Sequence, residues 1–155
     1  MRITVVAVGQ RQPHWADAAA ADFLGRFPGD FAVTVKEVKP EPRGGAPVER
    51  LLAAEAQRLR AALPAGSVVV ALDERGKDWT TRQFADAVRG WRDASEDVAF
   101  AIGGPDGLDA AFKREARVLL RLSSLTLPHA LARVVLIEQL YRVWSILAGH
   151  PYHRA

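Results

Sequence analysis

The segment Val98-Ala99-Phe100-Ala101-Ile102-Gly103-Gly104-Pro105-Asp106-Gly107-Leu108 is the most informative stretch for the fold. Its first half, residues 98–102, is an apolar run typical of a strand buried on both faces of a sheet. Gly103 begins the turn that follows, and the glycines of this turn allow a close backbone approach to a ligand. The spacing is not that of a dinucleotide or triphosphate loop. A purely structural turn is the alternative interpretation.

Outward from this segment, apolar strands alternate with amphipathic helices. Because the strands are continuous apolar runs, the pattern predicts an α/β fold with a mostly parallel sheet covered by helices on both faces. We expect residues 1–155 to form a single domain, with ligands bound where the loops after Leu72, Ile102 and Leu125 meet. Strands are predicted at 2–8, 31–38, 67–72, 98–102 and 120–125, and helices at 13–27, 48–63, 80–91, 109–119 and 129–148.

Composition narrows the class of protein. A hydrophobic content of 49% and a charged content of 25% are typical of a soluble globular domain. No segment reaches transmembrane length, so we expect no membrane partner and a cytoplasmic location. The net charge of +3 lies entirely within residues 103–155, because basic and acidic side chains balance before them. That excess indicates an anionic partner such as RNA, or simply a solvated basic face.

A second loop, Leu122-Ser123-Ser124-Leu125-Thr126-Leu127-Pro128-His129, offers small hydroxyls and backbone amides. Such groups can read the edge of an adenine ring. The alternative is a short edge strand that runs into a turn at Pro128. Neither serine lies in a Gly-x-Ser-x-Gly context, so neither is predicted to be a nucleophile.

The predicted helix 129–148 is apolar almost all round, and its main polar stripe is Glu138, Arg142 and Ser145. Such a helix must be buried on most sides, so one side is expected to pack against a second subunit. The spacing of Glu138 and Arg142 predicts an ion pair. The tail that follows contains Tyr152, His153 and Arg154, and we expect these residues to serve chemistry and RNA contact rather than stability. Without cysteine or a neighbouring carboxylate, His150 and His153 do not indicate a metal site.

Taken together, these motifs resemble the bacterial RlmH-type members of the SPOUT, or α/β-knot, methyltransferases. The resemblance runs from end to end and is most specific in the last third of the chain. Residues 40–66 carry nothing diagnostic. The motifs that carry the resemblance are Ala7-Val8-Gly9, Leu72-Asp73, residues 102–108, residues 125–129, Arg133-Val134, residues 138–142 and residues 151–154.

The resemblance implies a homodimer whose C-terminal part forms a trefoil knot, with S-adenosylmethionine as methyl donor and no metal. It also implies methylation of N3 of a pseudouridine in 23S ribosomal RNA (rRNA), within an assembled ribosome. The family's donor-binding positions fall on Leu72, Gly103, Leu122, Ser123, Ser124, Leu125, Thr126 and Leu127.

Five residues are candidates for catalysis. His129, Tyr152 and His153 can handle the proton that leaves N3, and Arg142 and Arg154 can stabilise an anion or contact phosphates. The sequence does not choose among them. Two other functions stay open, namely a non-enzymatic RNA- or ribosome-binding protein on the same fold and an enzyme that uses another nucleotide.

Overall fold

The computed structural model describes residues 1–154, and its centre is a sheet of five parallel strands. The strand order β2-β1-β4-β3-β5 places the first strand of the chain in the interior and the last at an edge. This arrangement confirms the predicted parallel α/β fold. The strands are β1 (Arg2–Val8), β2 (Ala32–Val38), β3 (Val68–Asp78), β4 (Val98–Ile102) and β5 (Val118–Arg121).

Helices cover both faces of the sheet. On one face α5 packs against α1 and α3, and on the other face lie α2 and α4. None of the helices within residues 1–154 is both long and apolar enough to cross a membrane. The helices are α1 (His14–Leu24), α2 (Val48–Ala62), α3 (Thr81–Asp93), α4 (Ala110–Glu115) and α5 (His129–Ala148), with short 3₁₀ turns at Gly29–Phe31 and Pro151–His153.

Two apolar cores lie on the opposite faces of the sheet. Along β1, Ile3 and Val5 point into the core beneath α1, α3 and α5, while Val6 and Val8 point into the core beneath α2 and α4. Period-two alternation of this kind is the geometry of a strand, and here both faces are apolar because both are covered. The burial of β1 and β4 on both faces therefore follows the prediction.

The edge of the sheet differs from the sequence-based expectation. β3 continues to Asp78 rather than ending at Leu72, and β5 spans Val118–Arg121 rather than residues 120–125. A register shift after Leu72 brings Lys77 and Asp78 opposite Leu120 and Arg121. Gly76 permits this pairing, since an added Cβ would lie 2.7 Å from the backbone of Leu119 and Leu120. The extension is polar, so hydrophobic patterning did not predict it.

Several helix ends also differ. α1 ends at Leu24 rather than near residue 27, and α4 ends at Glu115 rather than near residue 119, because the chain must already enter β5 at Val118. Asp109 caps α4 by accepting a hydrogen bond from the Phe112 N–H at 3.0 Å. The predicted capping box at the start of α3, between Thr80 and Gln83, is confirmed.

Candidate functional site

A cavity of about 630 Å³ opens where the middle of β3, at residues 72–75, and the carboxyl ends of β4 and β5 meet the start of α5. This is the place where parallel sheets bind ligands, and its volume is that of a typical small-molecule site. The sequence-predicted donor-binding residues all line it: Leu72, Gly103, Leu122, Ser123, Ser124, Leu125, Thr126 and Leu127.

One wall of the cavity is the glycine-rich loop after β4. The Gly107 N–H donates to the Gly104 carbonyl at 3.0 Å, and Gly107 takes a positive φ of +82°. A Cβ added to Gly103 would lie 2.4 Å from the Gly107 carbonyl oxygen. Gly103 is therefore required by the backbone of its own loop. Outside the cavity, Arg43 forms an ion pair with Asp106 at 3.1 Å and ties this loop to the chain before α2.

His129, the first residue of α5, joins the glycine-rich loop to the helix. Its Nδ1 lies 2.9 Å from the Gly103 carbonyl oxygen, and its Nε2 lies 3.1 Å from the Arg133 guanidinium. A carbonyl only accepts and a guanidinium only donates, so Nδ1 carries the proton and Nε2 accepts. Both ring nitrogens are thus engaged within the protein.

The surroundings of His129 disfavour its charged form. Burial, and then the positive charge of Arg133, lower the pKa of His129. Arg133 is itself only 4% exposed and is held by Glu37 at 2.7 Å and by the Gly9 carbonyl at 3.3 Å. A neutral His129 therefore connects the end of β4 to the start of α5, and Arg133 extends this connection to the ends of β1 and β2.

The loop from Leu122 to Pro128 is irregular and partly exposed. Ser123 Oγ accepts a hydrogen bond from the Leu125 N–H at 2.9 Å, which folds the loop onto itself. The Leu125 side chain is 75% exposed. The alternative interpretation of this stretch as a continuing edge strand is therefore wrong, and its backbone is available to the cavity.

The tail is packed along α5. Gly149 takes a left-handed conformation at the end of the helix, and the following residue donates its N–H to the Ser145 carbonyl at 2.9 Å. The centres of the Tyr152 and Tyr141 rings lie 4.6 Å apart, and the Tyr152 hydroxyl donates a hydrogen bond to Glu138 at 3.1 Å. The expectation that the tail contributes little to stability is wrong in this respect, because aromatic packing of this kind is stabilising.

Glu138 and Arg142 form the predicted ion pair on α5, with a closest distance of 2.6 Å. Arg142 also donates to the His153 carbonyl at 3.0 Å. Burial, and then the negative charge of Glu138, raise the pKa of Tyr152, so its hydroxyl stays protonated. The pair thus holds the middle residue and the last residue of the short 3₁₀ turn.

A second cavity, of about 380 Å³, lies between the start of α3, the last turns of α5 and the tail. Arg142, His153 and Arg154 line it, together with Arg82. It shares no lining residue with the first cavity, and about 20 Å of helix separates His129 from Arg142. The five catalytic candidates are therefore split, with His129 at one cavity and the others at or beside the second.

Comparison with known proteins identifies the family. A family model described as "Predicted SPOUT methyltransferase" matches residues 1–153. The chain belongs to the SPOUT methyltransferases. It is 56% identical over 154 residues to a protein of Paracidovorax citrulli named ribosomal RNA large subunit methyltransferase H, with 99% of each chain covered. A protein of the same name from Albidiferax ferrireducens is 58% identical over 154 residues, again with 99% of each covered.

A solved structure supports the fold of this SPOUT chain. A methylase family protein from Neisseria gonorrhoeae matches with a TM-score of 0.52 at 15% identity, covering 96% of this chain and 93% of that one. At this identity the likeness concerns the fold alone. The trefoil knot is implied by membership of the SPOUT family.

Sequence reasoning missed several residues of the first cavity. Asp73 lines it and lies 3.5 Å from Lys113 Nζ, and Arg75 and Arg121 also line it, with Arg121 in an ion pair with Asp78. The position of Asp73 directly after an apolar strand was the one available signal. Arg75 and Arg121 lie there because of the register shift between β3 and β5, for which Gly76 is a weak signal in the sequence.

Proposed function

We propose that this SPOUT protein transfers a methyl group from S-adenosylmethionine to N3 of a pseudouridine in 23S rRNA, within an assembled ribosome in the cytoplasm. Relatives that match 99% of the chain carry the name ribosomal RNA large subunit methyltransferase H. The observation that carries the proposal is the convergence of eight expected donor-binding residues on one cavity.

The cavity suits S-adenosylmethionine in size and chemistry. Leu72, Ile102 and Leu122 provide apolar surface for an adenine ring, and the irregular backbone after β5 provides amides and carbonyls for its edge. The Asp73 carboxylate can accept hydrogen bonds from ribose hydroxyls. At Gly103 and Gly104 the wall is tightly packed backbone, because an added Cβ would lie 2.4 Å from the Gly107 carbonyl oxygen or 3.2 Å from the Val8 side chain. When bound, the donor supplies a methyl group already activated by a positively charged sulfur.

The protein then has two tasks, which are alignment of donor and acceptor and removal of the N3 proton. Alignment is catalysis by proximity and needs no metal or covalent intermediate. Of the proton-handling candidates, His129 has both ring nitrogens engaged, and the Tyr152 hydroxyl donates to Glu138. His153 is the remaining base. Arg154, exposed beside it, is suited to the developing anion or to a neighbouring phosphate.

A homodimer resolves the separation of the two cavities. Within one protomer, about 20 Å of helix separates the tail from the first cavity, which we call the donor cavity. This distance is too long for the tail to take part in methyl transfer there. A second copy packed along α5 can bring its tail to the donor cavity of the first. Leu131, Val134 and Val135 on α5 are only half-buried, which supports a further packing surface on this helix.

The decisive experiment measures methyl transfer from radiolabelled S-adenosylmethionine to ribosomes that lack the modification, followed by mapping of the labelled nucleotide by mass spectrometry. Label on N3 of a 23S pseudouridine is expected. Calorimetry with S-adenosylmethionine alone is the companion measurement. Ribosome binding without donor binding would instead indicate the non-enzymatic function, and binding of a different nucleotide would indicate the other enzyme class.

A further inference from the structure

Ser145, in the last turns of α5, is a polar side chain with no exposure to solvent. Its hydroxyl oxygen has three partners, all in the tail. It lies 2.7 Å from the His150 carbonyl oxygen, 2.9 Å from His153 Nδ1 and 3.0 Å from the His153 backbone nitrogen. A buried hydroxyl with this many partners must be matched donor to acceptor.

Counting donors and acceptors gives one consistent assignment. The serine hydroxyl has one proton and two lone pairs. The carbonyl of His150 can only accept, so the proton goes there. The two lone pairs then accept from the His153 backbone N–H and from His153 Nδ1–H. The opposite choice would leave two bare oxygens 2.7 Å apart inside the protein, which is costly.

This assignment fixes the His153 ring. With the proton on Nδ1, the neutral imidazole has its lone pair on Nε2, and Nε2 makes no hydrogen bond to another residue within 1–154. The Arg142 bond to the His153 carbonyl holds the backbone of the same residue. His153 also lines the second cavity beside Arg82 and Arg154, where an RNA strand can be held.

We propose that Ser145 is a positioning residue that holds His153 in the Nδ1–H tautomer and thereby makes Nε2 the acceptor of the N3 proton. The inference rests on the proposed function, in which His153 is the base. In the step, the N3–H bond breaks and its proton moves to Nε2. The electron pair on N3 forms the bond to the methyl carbon, while the donor's carbon–sulfur bond breaks and its electron pair stays on sulfur.

Ser145 orients the His153 base as the third group orients the histidine in hydrolase triads. A histidine free in water favours the tautomer with its proton on Nε2, which would present a donor to N3–H instead of an acceptor. Ser145 reverses that preference. After the transfer both ring nitrogens carry protons, and the Nδ1–H bond to Ser145 is unchanged, so no rearrangement is needed.

The test reads the tautomer directly. Nitrogen-15 NMR of the full-length wild-type protein, labelled at histidine, distinguishes a protonated ring nitrogen from a bare one. His153→Gln assigns the signals. We expect His153 in the wild type to show a protonated Nδ1 and a bare Nε2 when the ring is neutral. In Ser145→Ala the protonation should shift towards Nε2.

Kinetics gives the second readout. In Ser145→Ala, kcat for methyl transfer should fall by about 10- to 100-fold, below the full effect of losing a base, with little change in KM for ribosomes. The matched control is Ser67→Ala, which removes a buried hydroxyl that has no hydrogen-bond partner within residues 1–154 and should leave both readouts unchanged.

A protonated Nε2 in the wild type would overturn the proposal, even if Ser145→Ala does not fold. An unchanged tautomer or an unchanged kcat in a folded Ser145→Ala would also overturn it. Failure of the proposed function is distinguishable, because then the wild type itself transfers no methyl group to ribosomes, whatever the NMR shows.

Discussion

Gly103 lines the proposed donor cavity and has no room for one more carbon atom. Its missing Cβ would meet the Gly107 carbonyl oxygen at 2.4 Å, so Gly103→Ala must open the glycine-rich loop. We expect S-adenosylmethionine affinity to fall by about 100-fold or more, a cost of roughly 3 kcal/mol, measured by calorimetry. Circular dichroism should stay native, because the loop lies outside the sheet.

Gly90 provides the matched control for this substitution. It lies inside α3, and an added Cβ would meet nothing within 4 Å. Gly90→Ala should leave donor affinity unchanged and stabilise the fold by about 0.5–1 kcal/mol. Unchanged donor affinity in a folded Gly103→Ala would remove the glycine-rich loop from the binding site.

His129 predicts a dependence of stability on pH. Its pKa is lowered in the folded protein, through burial first and the Arg133 charge second, whereas the unfolded chain keeps a value near 6.5. Just below pH 6.5 the unfolded state therefore binds more protons than the folded state. The contribution of His129 to the free energy of unfolding is complete above this pH and is lost as the pH falls towards the pKa of the folded state.

The check compares melting temperatures of the wild type and His129→Asn at pH 7.5 and pH 5.5. The asparagine amide can replace the Nδ1–H donor to Gly103 but does not titrate. The wild type should lose more stability than the variant on acidification. An equal loss in both proteins would show that His129 is not the group responsible.

At the scale of elements, the tail packs as part of the helical face. Tyr152→Ala removes both the ring contact with Tyr141 and the hydrogen bond to Glu138, so unfolding free energy should fall by about 1–3 kcal/mol. Tyr152→Phe keeps the ring and should lose only about 0.5–1.5 kcal/mol. Denaturant titration measures both. Equal losses in the two variants would mean that the ring contact contributes nothing.

The elements that sequence patterning predicted well are those whose own side chains decide their conformation. β1 and β4 are apolar on both faces, and Thr80 with Gln83 encodes the start of α3. The polar end of β3 could not be predicted, because its pairing is supplied by β5, some 43 residues away at Asp78 and Arg121.

In the site, too, some features could be predicted from local sequence and others depend on distant parts of the chain. The proposed donor-binding residues followed from motifs that match a known family, and they line one cavity. The roles of the catalytic candidates depend on hydrogen-bond partners that only the fold supplies. His129 is engaged by Gly103, and the His153 ring is held by a serine. Spacing gave one hint, since His129 and Arg133 lie one helical turn apart.

At the scale of the whole molecule, a substitution in the proposed interface should disrupt the dimer. Val135 on α5 is half-buried in the protomer, while Leu136 is fully buried in the core, so Val135→Asp is the informative substitution. An unpaired carboxylate in the interface should weaken dimerisation by about 100-fold or more. Sedimentation velocity measures it, with Val48→Asp as control on the opposite face of the sheet. A wild-type monomer at micromolar concentration would contradict the dimer.

A site shared between protomers also predicts complementation. Gly103→Ala damages only the donor cavity, and His153→Gln damages only the tail. After subunit exchange, half of the dimers contain one subunit of each kind, and one of the two composite sites in such a dimer is intact. The mixture of these two inactive proteins should therefore recover about a quarter of the wild-type activity. If donor cavity and tail act within one protomer, the mixture stays inactive.

The interior position of β1 has a consequence for synthesis. β1 leaves the ribosome before the other four strands, yet one of its two neighbours in the sheet is β4, and the Arg2 N–H donates a hydrogen bond to the Asp97 carboxylate, 95 residues later. At typical translation speeds this segment waits roughly 5–20 s for its partner. Throughout that interval an apolar strand with an unpaired edge is open to aggregation, so nascent chains stalled before β4 should depend strongly on chaperones.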